Sequence, residues 1–211
     1  MNLLKRISII LILFIIYTCI CAFSYANTVS SDIANSVLRL HILANSDSEE
    51  DQNLKLKVRD NVLSYMKQVS SNLSSKDEAI ATLNEHLDEF KDIALTTIQD
   101  EGYDYDVNLS IGEFDFPTKN YGDISLPAGL YDALRIEIGE AKGHNWWCVM
   151  FPTLCFVDVS SGSLDEESKD VLESSLNEEE YDLISGDNIR INFKFKILEL
   201  FDDVRVNLAN I

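Results

Sequence analysis

The stretch "VLRLHILANSDSEED", Val37 to Asp51, changes its periodicity part-way along. Leu38, Leu40 and Ile42 alternate with Arg39 and His41. That period of two predicts a half-buried strand, apolar on one side and wet on the other. Asn45-Ser46-Asp47-Ser48 is a cluster of turn and helix-cap residues. Ser48 is placed to cap a helix whose first turn holds Glu49, Glu50 and Asp51, where the helix dipole favours negative charge. Leu54, Val58, Val62, Tyr65, Met66 and Val69 then recur at helical spacing. A strand therefore leads straight into an amphipathic helix.

Both patterns recur downstream. Ser75 and Glu78 form a capping box. Behind it Ile80, Leu83, Leu87, Phe90, Ala94 and Ile98 predict a second helix, closed by Glu101-Gly102. Tyr103, Tyr105, Val107, Leu109 and Ile111 alternate as a strand. Residues 116–129 hold two prolines and two glycines and read as a loop. Ala133 to Ile138 alternates again, Gly139 to Gly143 is a turn, and Asn145 to Phe151 is expected to return antiparallel. Val171, Leu172, Leu176, Tyr181 and Leu183 suggest a third helix; Ile189 to Phe195 suggests a further strand. Ile197 to Leu208 extends that strand or closes the fold as a helix. The order predicts an α+β fold: one domain, with a mainly antiparallel sheet packed against two to four helices.

The N-terminal segment has the pattern of an export signal. Lys5 and Arg6 precede an uncharged run from Ile7 to Phe23, and Ser24-Tyr25-Ala26 suggests cleavage after Ala26. The expected division is residues 1–26, a signal peptide or membrane anchor, and residues 27–211, an extracytoplasmic domain. The whole chain of 211 residues carries a formal charge of −19. Nucleic-acid and anionic-membrane binders need clustered Lys and Arg, so this balance excludes both as general partners.

The second informative stretch is "HNWWCVMFPTLCF", His144 to Phe156. Cys148 as a nucleophile needs a base, and on a strand His144 lies roughly 13 Å away along the chain. His41 is an alternative base from another strand. A zinc site from Cys148, Cys155, His144 and His41 lacks the usual short ligand spacing. A hairpin places Cys148 opposite Cys155, within disulfide range. A two-residue loop requires a cis Phe151-Pro152 bond, and a four-residue loop avoids it. Alternation puts Trp146, Cys148 and Met150 on one side and Trp147, Val149 and Phe151 on the other. Either one side is an exposed apolar patch for a partner, or helices cover both. Arg39, His41, Asn45, Asp47 and Asp51 read as a solvated strand face and cap, or as a polar recognition edge. No phosphate loop, nucleophile elbow, zinc-protease histidine pair or calcium loop is present in the sequence, and no metal or cofactor is expected.

Taken together, the export segment, "VLRLHILANSDSEEDQNLKLKVRDNVL" (37–63) and "LPAGLYDALRIEIGEAKGHNWWCVMFPTLCFVD" (126–158) resemble the stage II sporulation protein R family of endospore-forming bacteria. The resemblance implies an exported signal in the space between forespore and mother cell. Its implied partner is a membrane-embedded aspartic protease that processes the sigma-E precursor. It implies no enzymatic activity of the chain's own; a thiol hydrolase using Cys148 is the alternative. By position the shared motifs carry Arg39, His41, Asn45, Asp47 and Asp51, then Gly129, Tyr131, Ala133, Arg135, His144, Asn145, Trp146, Trp147, Cys148 and Cys155. Arg39, His41, Asn45, Asp47, Tyr131, Arg135, His144, Asn145, Trp146 and Trp147 are the candidate protein-binding residues.

Overall fold

In a computed structural model, residues 3–70, 73–121, 124–152 and 166–185 are described. Helix α1 runs from Leu3 to Ser36, followed by strand β1 (Leu38–Leu43) and helices α2 (Glu49–Val69), α3 (Lys76–Glu85) and α4 (Leu87–Asp100). Then come β2 (Val107–Phe116), β3 (Lys119–Tyr121), β4 (Ile124–Leu126), β5 (Gly129–Ile138) and β6 (Asn145–Phe151), and helices α5 (Glu166–Ser175) and α6 (Glu178–Ser185). The fold is α+β. Its main sheet has the order β2-β5-β1-β6, and β3 pairs with β4 as a separate hairpin.

The sheet is mainly antiparallel, as expected, with one parallel pairing. β1 pairs parallel with β5, antiparallel with β6, and β5 pairs antiparallel with β2. β6 therefore runs opposite to β5 as expected, but does not lie beside it: β1 occupies the place between them. The physical reason is the burial of β1 on both faces along its whole length. A strand buried on both faces belongs in the middle of a sheet, between two neighbours.

Each face of the sheet has its own core. Leu38, Leu40, Ile42, Leu134, Ile136, Ile138, Cys148 and Met150 meet the inner faces of α2, α3 and α4, led by Val58, Val62, Leu83, Phe90 and Ile98. The opposite face packs Phe116, Tyr131, Ala133 and Val149 against Ile33 and Ala34 of α1, Ile124 and Leu126 of β4, and Leu172, Leu176 and Ile184 of α5 and α6. Arg39 and His41 belong to this second face and are buried, Arg39 completely. The wet side predicted for β1 is thus covered.

Ser48 caps α2 as expected: its side chain accepts a hydrogen bond from the Asp51 N–H. Ser48→Ala is expected to cost about 1 kcal/mol, read as a lower urea midpoint with an unchanged slope. An unchanged midpoint would mean that the cap contributes nothing. Ser75 likewise caps α3 by accepting from the Glu78 N–H, while the Glu78 carboxylate reaches back to the backbone of Ser74 and Ser75.

Four other expectations are corrected. The second helix is two, broken at His86, whose own N–H still bonds Thr82 O and whose ring meets the Tyr65 hydroxyl at 3.1 Å. The strand predicted from Tyr103 starts at Val107, opposite the end of β5 at Ile138; beyond it the chain makes a single further bond, from the Gly139 N–H to Asp106 O at 2.8 Å, before the β5–β6 turn leads away. The region read as a loop after Phe116 contains the β3–β4 hairpin. The third helix is also two, α5 and α6. The strand expected at Ile189 to Phe195 and the segment Ile197 to Leu208 lie outside the described residues.

Helix α1 passes through Ala26 without a break and ends docked on the second core by Ile33 and Ala34. Before that point its apolar side chains, among them Ile10, Leu13, Phe14 and Ile20, are exposed. By length and composition it can cross a membrane, a property shared by signal sequences.

Candidate functional site

The side chains singled out in the sequence separate into three groups. The first lies where β1 ends and the β5–β6 connection passes. Asp51, buried in the first turn of α2, accepts from Asn45 Nδ2 at 2.8 Å and from Ser46 Oγ at 2.5 Å. Burial alone would raise the Asp51 pKa; hydrogen bonds from Ser46, Asn45 and Tyr105 outweigh it and hold the carboxyl below its usual value. The other end of Asn45 accepts from the Glu140 N–H at 3.0 Å. Asp47 accepts from the His144 N–H at 2.6 Å and meets His144 Nδ1 at 2.5 Å. Lys55 donates to the His144 carbonyl at 2.8 Å. Gly139 has φ +57, and a Cβ there would come 2.3 Å from Asn45 Oδ1. Asn45, Asp47 and Asp51 thus tie the strand-to-helix link to the loop before β6. Asp47 and His144 remain exposed at its rim.

The second group is Trp146, on the helix-covered face. Arg59 of α2 lies over its ring at 4.3 Å. Trp147 points to the opposite face. Both tryptophans are half-buried, so neither side of β6 is a bare apolar patch. The alternation predicted along β6 holds until a bulge: Arg39 pairs with Val149 but Leu38 pairs with Phe151, which moves Phe151 to the Leu38 side.

The third group occupies the second face. The Arg39 guanidinium sits over the rings of Phe116 at 4.1 Å, Tyr131 at 4.8 Å and Tyr121 at 5.9 Å. Its Nη2 donates to the Tyr121 hydroxyl at 2.6 Å, and Tyr121 Oη donates to the Trp147 carbonyl at 3.3 Å. Tyr131 Oη donates to Pro127 O at 2.7 Å. Burial pushes both tyrosine pKa values up, although the Arg39 charge opposes this. His41 stacks on Trp147 with centroids 3.7 Å apart, and its Nε2 lies 2.8 Å from Asn145 Oδ1. Arg135, the register partner of His41 across β1–β5, pairs with Glu137 at 2.7 Å. Arg39, His41, Tyr131, Arg135, Asn145 and Trp147 are therefore brought together, while Trp146 and the Asn45–Asp47–His144 group are not.

Phe114, Phe116 and Tyr121 were not singled out from the sequence. The signal for the two phenylalanines was present: Val107, Leu109 and Ile111 take one parity of β2, Phe114 and Phe116 the other. A strand apolar in both parities is covered on both faces.

Cys148 is almost wholly buried on the helix side, opposite Leu40, whereas His41 leaves the other face of the sheet. His41 is thus not the base that a Cys148 nucleophile would need. The pairing of Cys148 with Cys155 falls on a residue outside the described ones; the Phe151-Pro152 peptide is cis.

The family profile described as "Stage II sporulation protein R (spore_II_R)" matches residues 34–161. The chain belongs to the stage II sporulation protein R family. Stage II sporulation protein R of Bacillus subtilis (strain 168) is 41% identical over 138 residues, which are 65% of this chain and 62% of that protein. No solved structure matches the chain. The stage II sporulation protein R match begins in the docked end of α1, takes in all six described strands, and contains each of the three groups. A role in sporulation follows, carried by a domain behind an apolar N-terminal helix that suits a signal or an anchor.

Proposed function

We propose that this protein is an exported, non-enzymatic signal of sporulation. It enters the space between forespore and mother cell and docks on a membrane-embedded aspartic protease of the mother cell. The protease, once engaged, removes the pro-sequence of the sigma-E precursor. The match to the stage II sporulation protein R family over residues 34–161 carries this reading. Helix α1 supports export, and the burial of Cys148 away from both His41 and the exposed His144 supports a binding role over thiol chemistry. The sheet face of Arg135, His41, Trp147 and Asn145 is the candidate contact, because its polar end is only partly covered.

The test is co-expression of the full chain with the protease and the sigma-E precursor in a host without sporulation genes. Processed sigma-E is expected only when all three are present. Precursor that stays intact in the presence of all three overturns the reading, as does equal processing without this chain.

A further inference from the structure

Among the described residues, five buried side-chain nitrogens have no hydrogen-bond partner. Four of them belong to just three residues: Nε and Nη1 of Arg39, Nδ1 of His41 and Nε of Arg135. The strand register explains why they meet. Arg39 and His41 are two apart on β1, so both side chains leave the same face. His41 is paired with Arg135 across the parallel β1–β5 ladder. Folded proteins leave few buried polar atoms unsatisfied, and each costs about 1–3 kcal/mol. His41 Nε2 faces the Asn145 amide oxygen and carries the ring proton, which leaves Nδ1 a lone pair. The three N–H donors on Arg39 and Arg135 point to one shared acceptor rather than three separate accidents.

The charges on this face narrow what that acceptor is. Arg39 is completely buried, and among the described residues no carboxylate forms an ion pair with it. Three rings and one tyrosine hydroxyl replace part of its lost hydration, but a buried guanidinium is normally matched by an anion. Arg135 does have a carboxylate, Glu137, yet both side chains are part-exposed, at 31% and 26%. That pair forms the accessible end of the row. The row is a cationic place in a chain of net charge −19, so it selects for an anion that the rest of the surface repels. Guanidinium groups present parallel N–H donors that match the two oxygens of a carboxylate.

We propose that the Arg135–His41–Arg39 row is a carboxylate-binding site. The incoming group exchanges with Glu137 at Arg135 and accepts from the Arg135 Nε–H and from the Arg39 Nε–H and Nη1–H, with the His41 ring beside it. Trp147, stacked on His41, forms one wall, and Asn145 stands at the open end. This binding chemistry stands whether or not the protease reading holds.

The test uses the full chain in detergent and compares sodium acetate with sodium chloride at equal ionic strength. Acetate is expected to raise the melting temperature by about 2–4 °C over chloride. It is also expected to move the Nε–H resonances of Arg39 and Arg135, which chloride leaves in place. Arg135→Gln and Arg39→Met are each expected to abolish the acetate increment. Arg59→Gln, on the other face, is expected to retain it. Should Arg39→Met fail to fold, Arg135→Gln and the resonance shifts still decide. Equal melting in the two salts with unmoved Nε–H signals overturns the proposal, as does an increment that survives Arg135→Gln. A blocked Gly-Glu-Gly peptide, with its Gln counterpart as control, separates the two sources of the group. Half-saturation at a tenfold lower concentration than acetate means that a polypeptide carries it; equal half-saturation means a free small carboxylate.

Discussion

Gly143→Ala is expected to destabilise the domain by about 3 kcal/mol or more, a size reserved for substitutions with a specific structural cause. Position 143 is where the β5–β6 connection crosses the end of β1. An added Cβ would lie 2.1 Å from the Ser46 carbonyl oxygen, 2.6 Å from its carbon and 2.9 Å from Ala44 Cβ. Two of these are backbone atoms and cannot swing aside. Retreat would break the bonds from the Gly143 N–H to Ala44 O at 2.9 Å and from the Lys142 N–H to Asn45 O at 3.2 Å. It would also pull His144 from Asp47. Gly102→Ala is the built-in comparison: that glycine has φ +85 but open space around it, so only backbone strain of about 1 kcal/mol is expected. Urea midpoints of the two variants check this. A Gly143→Ala protein as stable as Gly102→Ala would show that the crossing is not a close contact.

The second large effect is on pH dependence. Burial, the leading cause, lowers the His41 pKa to about 4; the Asn145 hydrogen bond and Glu137 oppose it, and Arg135 and Arg39 reinforce it. The folded protein therefore keeps His41 neutral in a range where the unfolded chain, with a pKa near 6.5, takes up a proton. Stability should fall as the pH drops from about 6.5 to about 4, by at most about 3 kcal/mol, and the His41 contribution then levels off. Asp51 acts in a lower window. Its lowered folded pKa gives stability that is complete above the unfolded value of about 3.9 and is lost on further acidification. Urea denaturation at a series of pH values should show the first slope in the parent and lose it in His41→Gln. A slope unchanged by that substitution would place its origin elsewhere.

Local chemistry made several elements legible from the sequence. Ser48 and Ser75 announce helix starts because a cap is a contact over three residues. The alternation of Leu38, Leu40 and Ile42 marks β1 because the pleat alone sets it. What could not be read depends on residues far along the chain. Arg39 looks like a solvent-facing charge until Phe116, Tyr121 and Tyr131 are known to surround it. Asn45 and Asp51 look like ordinary capping residues, but Ser48 is the cap; Asn45 instead bonds Asp51 and the Glu140 N–H across the end of the sheet. The helix break at His86 is invisible because the apolar repeat runs on through Leu83, Leu87 and Phe90. The three-residue strands β3 and β4 are too short for a period of two to emerge. At the candidate site the alternation of β6 already separates Trp146 from Trp147, but which residues of the other strands share a face with each was not legible. That follows from pairing with β1, which turns Trp147 toward His41 and Trp146 toward α2.

The place of β1 at the centre of the sheet bears on when the protein becomes competent. β1 follows directly behind α1 in the chain, yet its two neighbours, β5 and β6, come only after three helices and three more strands. Pairings between such distant segments make a high contact order, and such folds form in milliseconds to seconds rather than microseconds. Until β5 and β6 arrive, a strand that alternates apolar residues with Arg39 and His41 waits without ladder partners, which exposes it to aggregation. The chain must therefore extend through β6 before the Arg39 face assembles, so a shorter nascent chain presents no finished surface.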